Sequence, residues 1–148
     1  MSLTTTTHLN LPGTARQALD FYQSVFGGQV HATSYAELGM PQDAPDAEKI
    51  VFGALNAENG VRLMAYDIPG RSDSFAGGTH REQGMTLTDQ PFFVSLSSDS
   101  LDELSGYWEK LADDAEIVEP LAASQWSAGF GMLTDRFGVT WALSVVTS

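Results

Sequence analysis

Apolar side chains recur along this chain with two periods, and the switches between them predict the order of the elements. From Thr6 to Leu11 polar and apolar residues alternate as in a half-buried strand. After Pro12-Gly13, the residues Ala18, Leu19, Tyr22, Val25 and Phe26 fall three and four apart and make one helical stripe. Thr14, with Gln17 three positions on, has the spacing of a capping box, and Gly27-Gly28 supplies a left-handed stop. Strands are expected at Gln29 to Ala36, Ile50 to Asn56 and Val61 to Asp67. The last two are joined through Glu58-Asn59-Gly60, whose Asn-Gly pair tolerates the positive φ of a tight hairpin.

The second half repeats this grammar. Phe92 to Ser97 reads as a strand, followed by Ser100 and Glu103 at capping-box spacing and by Leu101, Leu104, Trp108 and Leu111 on one helical face. Strands are expected at Glu116 to Glu119, Gly129 to Thr134 and Val139 to Val146, with Asp135-Arg136-Phe137-Gly138 as the turn between the last two. Each half reads β-α-β-β-β, and Phe21-Tyr22 and Tyr107-Trp108 take equivalent helix positions, which supports an internal duplication. Between the halves, Ile68 to Gln90 is polar and rich in glycine (Gly70, Gly77, Gly78, Gly84) and reads as a long loop. That loop and the Leu38 to Glu48 segment, with Pro41 and Pro45, are candidate lids over a ligand. The expected organisation is one domain over 1–148, with module one at about 4–68, a linker loop at 69–90 and module two at about 91–147.

Composition narrows the function classes. A chain of 148 residues with 43% hydrophobic content supports one well-buried core. Seven basic against nineteen acidic side chains give a formal net charge of -12, which disfavours nucleic acid and anionic membrane surfaces as partners. No run approaches the length of a membrane span, and Met1 to His8 lacks the basic and apolar regions of a secretory signal, so a cytoplasmic protein is expected. Whether Met1-Ser2-Leu3 is native is open. The absence of cysteine excludes disulfides, thiol nucleophiles and thiolate metal sites. There is no nucleophile-elbow serine, no phosphate-cradling loop and no dinucleotide fingerprint.

Leu9-Asn10-Leu11 with the Gly13 turn, Ala18 to Tyr22, Phe26-Gly27-Gly28, Leu63 to Asp67 and Asp135 to Trp141 together resemble the vicinal oxygen chelate superfamily of glyoxalase, bleomycin-resistance and extradiol dioxygenase proteins, in its PhnB-like branch. The resemblance covers nearly the whole chain. It implies an α+β fold of two βαβββ modules forming a curled mixed sheet around a cleft, and a homodimer. It also implies that catalytic members hold a divalent metal with His, Gln or Glu on cleft-facing strand positions. Here those positions fall at Thr6 or His8, at or beside Ala65 with Asp67 on its face, at Phe93 and at Ala142. Phe and Ala coordinate nothing, so no metal is assigned, and the branch's methyltransferase label finds no cofactor loop to support it.

His8, Asn10 and Thr6 share one strand face while Leu9 and Leu11 take the other, which places the histidine on a polar cleft wall. Asp135, at the start of a four-residue turn ending in glycine, reads as turn chemistry rather than as an acid catalyst. The resulting expectation is a small-molecule-binding protein without a metal cofactor, using Phe93 and Trp126 for contact and His8, Asn10 and Asp67 for orientation. One alternative is a divalent-metal lyase or isomerase acting on vicinal oxygens, with His8 and Asp67 as ligands. Another is a ligand-free dimer whose apolar sheet face is consumed by subunit contact.

Overall fold

The computed structural model describes residues 2–73 and 78–146. The chain is mixed α+β and divides into two compact units, Met1–Ser74 and Phe75–Ser148. The first unit runs β1 (Thr7–Leu11), α1 (Ala15–Phe26), β2 (Gln29–Ser34), a 3-10 turn (Ala36–Leu38), β3 (Ile50–Asn56) and β4 (Arg62–Asp67). Its four strands lie in the order β1-β4-β3-β2, with β1 parallel to β4 and the other pairs antiparallel.

The stripe read from the sequence is the buried face of α1. Ala15, Ala18, Leu19, Tyr22, Val25 and Phe26 are all buried, as are Leu9, Leu11, Leu55, Leu63 and Ala65 on the sheet. Helix and sheet meet closely at Gly53, where an added Cβ would lie 2.5 Å from Leu19 Cδ1 and 2.8 Å from the Ala65 carbonyl oxygen. Glycine is required there by space, not by backbone angle. Gly27 ends the helix at φ 77°, as the Gly-Gly stop predicts.

The capping box expected at Thr14 does not form: its side chain makes no cap hydrogen bond. The first helical N–H, from Ala15, instead donates to Asp67 Oδ1 at 2.8 Å, so the cap comes from the far end of β4, 52 residues away in sequence. A carboxylate also suits the positive end of the helix dipole. The Leu38 to Glu48 segment, read as a possible lid, is pinned at both ends. The N–H groups of Tyr35 and Ala36 donate to the carbonyls of Lys49 and Ala47, and Ala47 is buried. Asp46 pairs with Lys49 at 2.8 Å and accepts the Gly70 N–H at 2.9 Å.

The second unit contains β5 (Thr79–Glu82), β6 (Met85–Thr88), β7 (Val94–Ser98), α2 (Leu101–Leu111), β8 (Glu116–Ala122), β9 (Phe130–Thr134) and β10 (Thr140–Val145). The order β7-β10-β9-β8 repeats that of the first sheet, again with one parallel pair, β7 with β10. Here the predicted cap is present, since Ser100 Oγ accepts the Glu103 N–H at 3.1 Å. The Glu103 carboxylate closes the motif through Ser98, whose Oγ donates to it at 2.7 Å and accepts the Ser100 N–H at 3.0 Å.

The linker at 69–90 is not loop throughout: β5 and β6 form an antiparallel hairpin. Gln83 and Gly84 both take positive φ, 51° and 78°, the geometry of a two-residue hairpin turn, and polar residues on both strands hide the alternation. Gly77 of that linker lies outside the described residues. The hairpin packs on the second sheet through Arg81, whose guanidinium lies 5.5 Å from the centre of the Phe130 ring and 4.0 Å from Glu119 while donating to Thr86 Oγ1 at 2.7 Å.

Asp135 has the structural use its turn context suggests. Oδ1 accepts the N–H groups of Phe137 and Val139 at 2.8 and 3.1 Å, and Oδ2 accepts the indole N–H of fully buried Trp141 at 2.8 Å. One carboxylate thus sets the β9–β10 turn and fixes the largest core side chain of this unit. Replacing Asp135→Ala leaves these donors without a charged acceptor and should lower unfolding free energy by about 2–4 kcal/mol in urea titration. A loss below about 1 kcal/mol would show that water replaces the carboxylate without penalty.

Asp46 supplies a pH signature. Its hydrogen bond with Lys49, and then that with the Gly70 N–H, hold its carboxyl below the usual carboxylate range. A depressed folded-state value makes this contribution intact at neutral pH and removes it as pH falls through that value. The stability difference between the wild type and Asp46→Asn should therefore be present at pH 7 and shrink on acidification, which thermal melts across pH 7 to 2 would read. A difference that grows toward acid would contradict the assignment.

Candidate functional site

Because α1 covers one face of the first sheet, the alternate residues of its strands face away from the helix. Strand register places them in rows. His8 on β1 lies beside Met64 on β4, Met64 beside Ala54 on β3, and Ala54 beside His31 on β2. Asn10 lies beside Tyr66, and Thr33 beside Phe52. His8, Asn10 and His31 are exposed, Met64 and Tyr66 half-buried, and Phe52 48% exposed, so the face is open but lined by large side chains.

His8 and Asn10 fall on this face together, as their spacing on β1 predicts. His8 Nδ1 and Asn10 Oδ1 are 3.1 Å apart, and the edge of the imidazole meets Tyr66, with ring centroids 5.5 Å apart and planes at 63°. With Oδ1 as acceptor, Nδ1 carries the proton and Nε2 keeps a lone pair that can accept a hydrogen bond. Two contacts thus orient the imidazole, one polar and one aromatic. Tyr66, Phe52 and Arg62 were not among the residues the sequence singled out. The signal for them was the parity of β4: with Leu63 and Ala65 under the helix, Met64 and Tyr66 must face away.

The same parity corrects Asp67. It was expected beside His8 on the open wall, but it lies on the helix side and is 2% exposed. Its two oxygens accept the N–H groups of Ala15 and Ile50, each at 2.8 Å, and its own carbonyl accepts the Tyr35 hydroxyl at 2.7 Å. Burial, and then the neighbouring acidic groups of Tyr66, Asp67 and Asp46, push the Tyr35 phenol above its usual range, which keeps that donor protonated. A carboxylate saturated by backbone donors on the covered face orients a helix and a strand, not a ligand. Phe93 and Trp126 belong to the second unit. Phe93 is half-buried just before β7, in phase with Ser95, and Trp126 is 91% exposed in the loop between β8 and β9.

The donor set does not fit the divalent metal implied for catalytic relatives. Of the four strands named for ligation, β1 presents His8 on its open face and β4 presents Met64 and Tyr66. Ser95 and Ser97 of β7 pair with Ala142 and Ser144 of β10 on the face away from α2. These positions contain one imidazole and no carboxylate. His31 is three strand spacings from His8, roughly 14 Å, too far to share an ion. Among the described residues no three His, Cys, Asp or Glu side chains gather into a metal-holding group.

Two sheets of identical strand order, each with a parallel pair closing a βαβββ series, and an open imidazole face on one of them define the class of protein. A model of the Glyoxalase/Bleomycin resistance protein/Dioxygenase superfamily matches residues 9–143, and the chain belongs to that superfamily. Protein YjdN of Escherichia coli (strain K12) is 28% identical over 146 residues, covering 94% of this chain and 92% of the relative. The crystal structure of protein PA1353 from Pseudomonas aeruginosa superposes with a TM-score of 0.75 at 28% identity, covering 99% of this chain and 100% of that one. The PhnB protein of Bacillus cereus has the same fold, with a TM-score of 0.70 at 24% identity over 97% of this chain and 100% of that one. No helix among the described residues is long and apolar enough to cross a membrane.

The two faces of β4 separate by mutation. Asp67→Ala strands two buried N–H donors and should cost about 2–5 kcal/mol in chemical denaturation, whereas His8→Ala, on the open face, should change stability by less than about 0.5 kcal/mol. Equal losses would show that His8 is part of the packed core.

Proposed function

We propose that this chain binds a small organic molecule without a resident metal, and that the open face of the first sheet carries the binding. The observation that carries this reading is the His8–Asn10 pair, held at 3.1 Å and buttressed by Tyr66, beside exposed Phe52. Large side chains left open on a sheet surface are a feature of interaction sites, and a polar pair oriented among them supplies direction. The aromatic surface gives contact area, Asn10 and His8 Nε2 select hydrogen-bonding groups, and Asp67 holds the scaffold from behind. Binding of this kind requires no bond to be made or broken. Phe93 and Trp126 are proposed as further ligand contacts, and the protein as a cytoplasmic homodimer.

The test has two arms. Protein purified without chelator or metal-affinity resin is analysed for bound metal and then melted with and without added Ni²⁺, Zn²⁺, Mn²⁺ and Fe²⁺. Metal well below one equivalent and an unmoved melting temperature are expected, because only an ion that binds the folded state raises it. In parallel, amide NMR spectra with a mixture of small aromatic compounds should shift at β1 and β4, and lose those shifts in Tyr66→Ala. Stoichiometric metal released by His8→Ala would replace this reading with the metal-dependent one.

A further inference from the structure

The open face of the first sheet departs in charge from the protein that carries it. Nineteen acidic side chains give the chain a formal net charge of -12, yet no position directed away from α1 on β1, β2, β3 or β4 is Asp or Glu. The charged and titratable groups on those positions are His8 on β1, Arg62 and Tyr66 on β4, and His31 on β2; β3 contributes none. Arg62 is exposed and has no ion-pair partner among the described residues. It precedes Met64 by two residues along β4, about 7 Å, and Met64 lies beside His8. A long guanidinium side chain and an oriented imidazole therefore flank a half-buried thioether, with the Tyr66 ring one further step along the strand.

We infer that this face selects a planar aromatic acid: a ring packed on Met64, Tyr66 and Phe52 beside His8, with its carboxylate taken by Arg62. This rests on the small-molecule-binding reading above and adds the ligand's charge. The overall negative charge opposes an anion only weakly, since at physiological ionic strength exposed charges are screened beyond about 8 Å. At contact the local donors decide, and a guanidinium matches a carboxylate through paired N–H groups. A cationic ligand would meet Arg62 and find no carboxylate on the face.

Three probes of matched shape separate the possibilities: 2-naphthoate, its neutral amide 2-naphthamide and the cation 2-naphthylmethylammonium, each titrated into the full chain in 0.15 M salt and followed by amide NMR. Naphthoate should bind about fivefold tighter than the amide, an effect on the scale of an exposed ion pair, with shifts on β1 and β4. Arg62→Gln should bring the acid down to the amide's affinity and leave the amide unchanged. Phe52→Ala should weaken both, as a test that the ring packs on this face. Amide binding equal to or tighter than acid, or tightest binding by the cation, overturns the anionic assignment while leaving small-molecule binding in place. Failure of all three probes to shift this face would overturn the binding reading itself.

Discussion

The Asp67 carboxylate is the constraint on which the first unit depends. From the last residue of β4 it holds the first helical N–H of α1 with one oxygen and the first N–H of β3 with the other. The same residue's main chain receives the Tyr35 hydroxyl, and the Ile68 N–H that follows it bonds to the Leu11 carbonyl. Helix, central strands and the segment after β2 therefore converge on one buried residue. A buried charge of this kind is tolerated because each oxygen is matched by a donor, and losing a partner costs more than the bond is worth in net stability. The functional consequence is indirect: with α1 fixed on one side of the sheet, His8, Asn10 and Tyr66 have no choice but the other.

Much of this was legible in the sequence. The α1 stripe, the Gly27 stop, the Asn-Gly hairpin, the Ser100 cap and the Asp135 turn are each specified within a few residues, and local chemistry suffices to read them. His8 and Asn10 on one face of β1 follow from the two-residue period with Leu9 and Leu11 as reference. The face of β4 does not, because Leu63-Met64-Ala65-Tyr66-Asp67 offers an apolar residue at nearly every position and period-two reading has no polar alternation to lock onto. A slip of one residue moved Asp67 to the wrong wall and left Tyr66 unnoticed. The α1 cap was unreadable for a different reason, since its acceptor is supplied across 52 residues by tertiary contact. The β5–β6 hairpin was hidden by its composition: Thr-His-Arg-Glu and Met-Thr-Leu-Thr bury little, and Gln-Gly is a weaker turn signal than Asn-Gly.

Register makes the duplication exact enough to compare positions. The row His8–Met64–Ala54–His31 of the first sheet corresponds to Ser95–Ala142–Met132–Glu119 of the second, and Asn10 to Ser97. His8 and Asn10, able to orient a ligand by ring nitrogen and amide, correspond to the small hydroxyls of Ser95 and Ser97, and His31 corresponds to Glu119. That carboxylate is already engaged by Arg81, whose guanidinium also sits over Phe130. Phe130 has a counterpart in Phe52, which is 48% exposed. The aromatic position is thus retained in both repeats, covered by the chain's own cation in one and open in the other.

That asymmetry follows from what each sheet face must satisfy. A sheet face that is neither packed nor functional exposes apolar surface at a cost, and a short polar hairpin bearing one arginine is an economical cover, since its guanidinium can lie on a ring and still reach a carboxylate. The second sheet has such a cover and has kept the carboxylate that secures it. On the first sheet the position of Glu119 is held by His31, so no equivalent anchor for a covering arginine exists, and its open face instead carries Arg62 as a cation of its own. Two repeats with the same strand order have in this way reached opposite electrostatic solutions, and the one left open has the oriented imidazole.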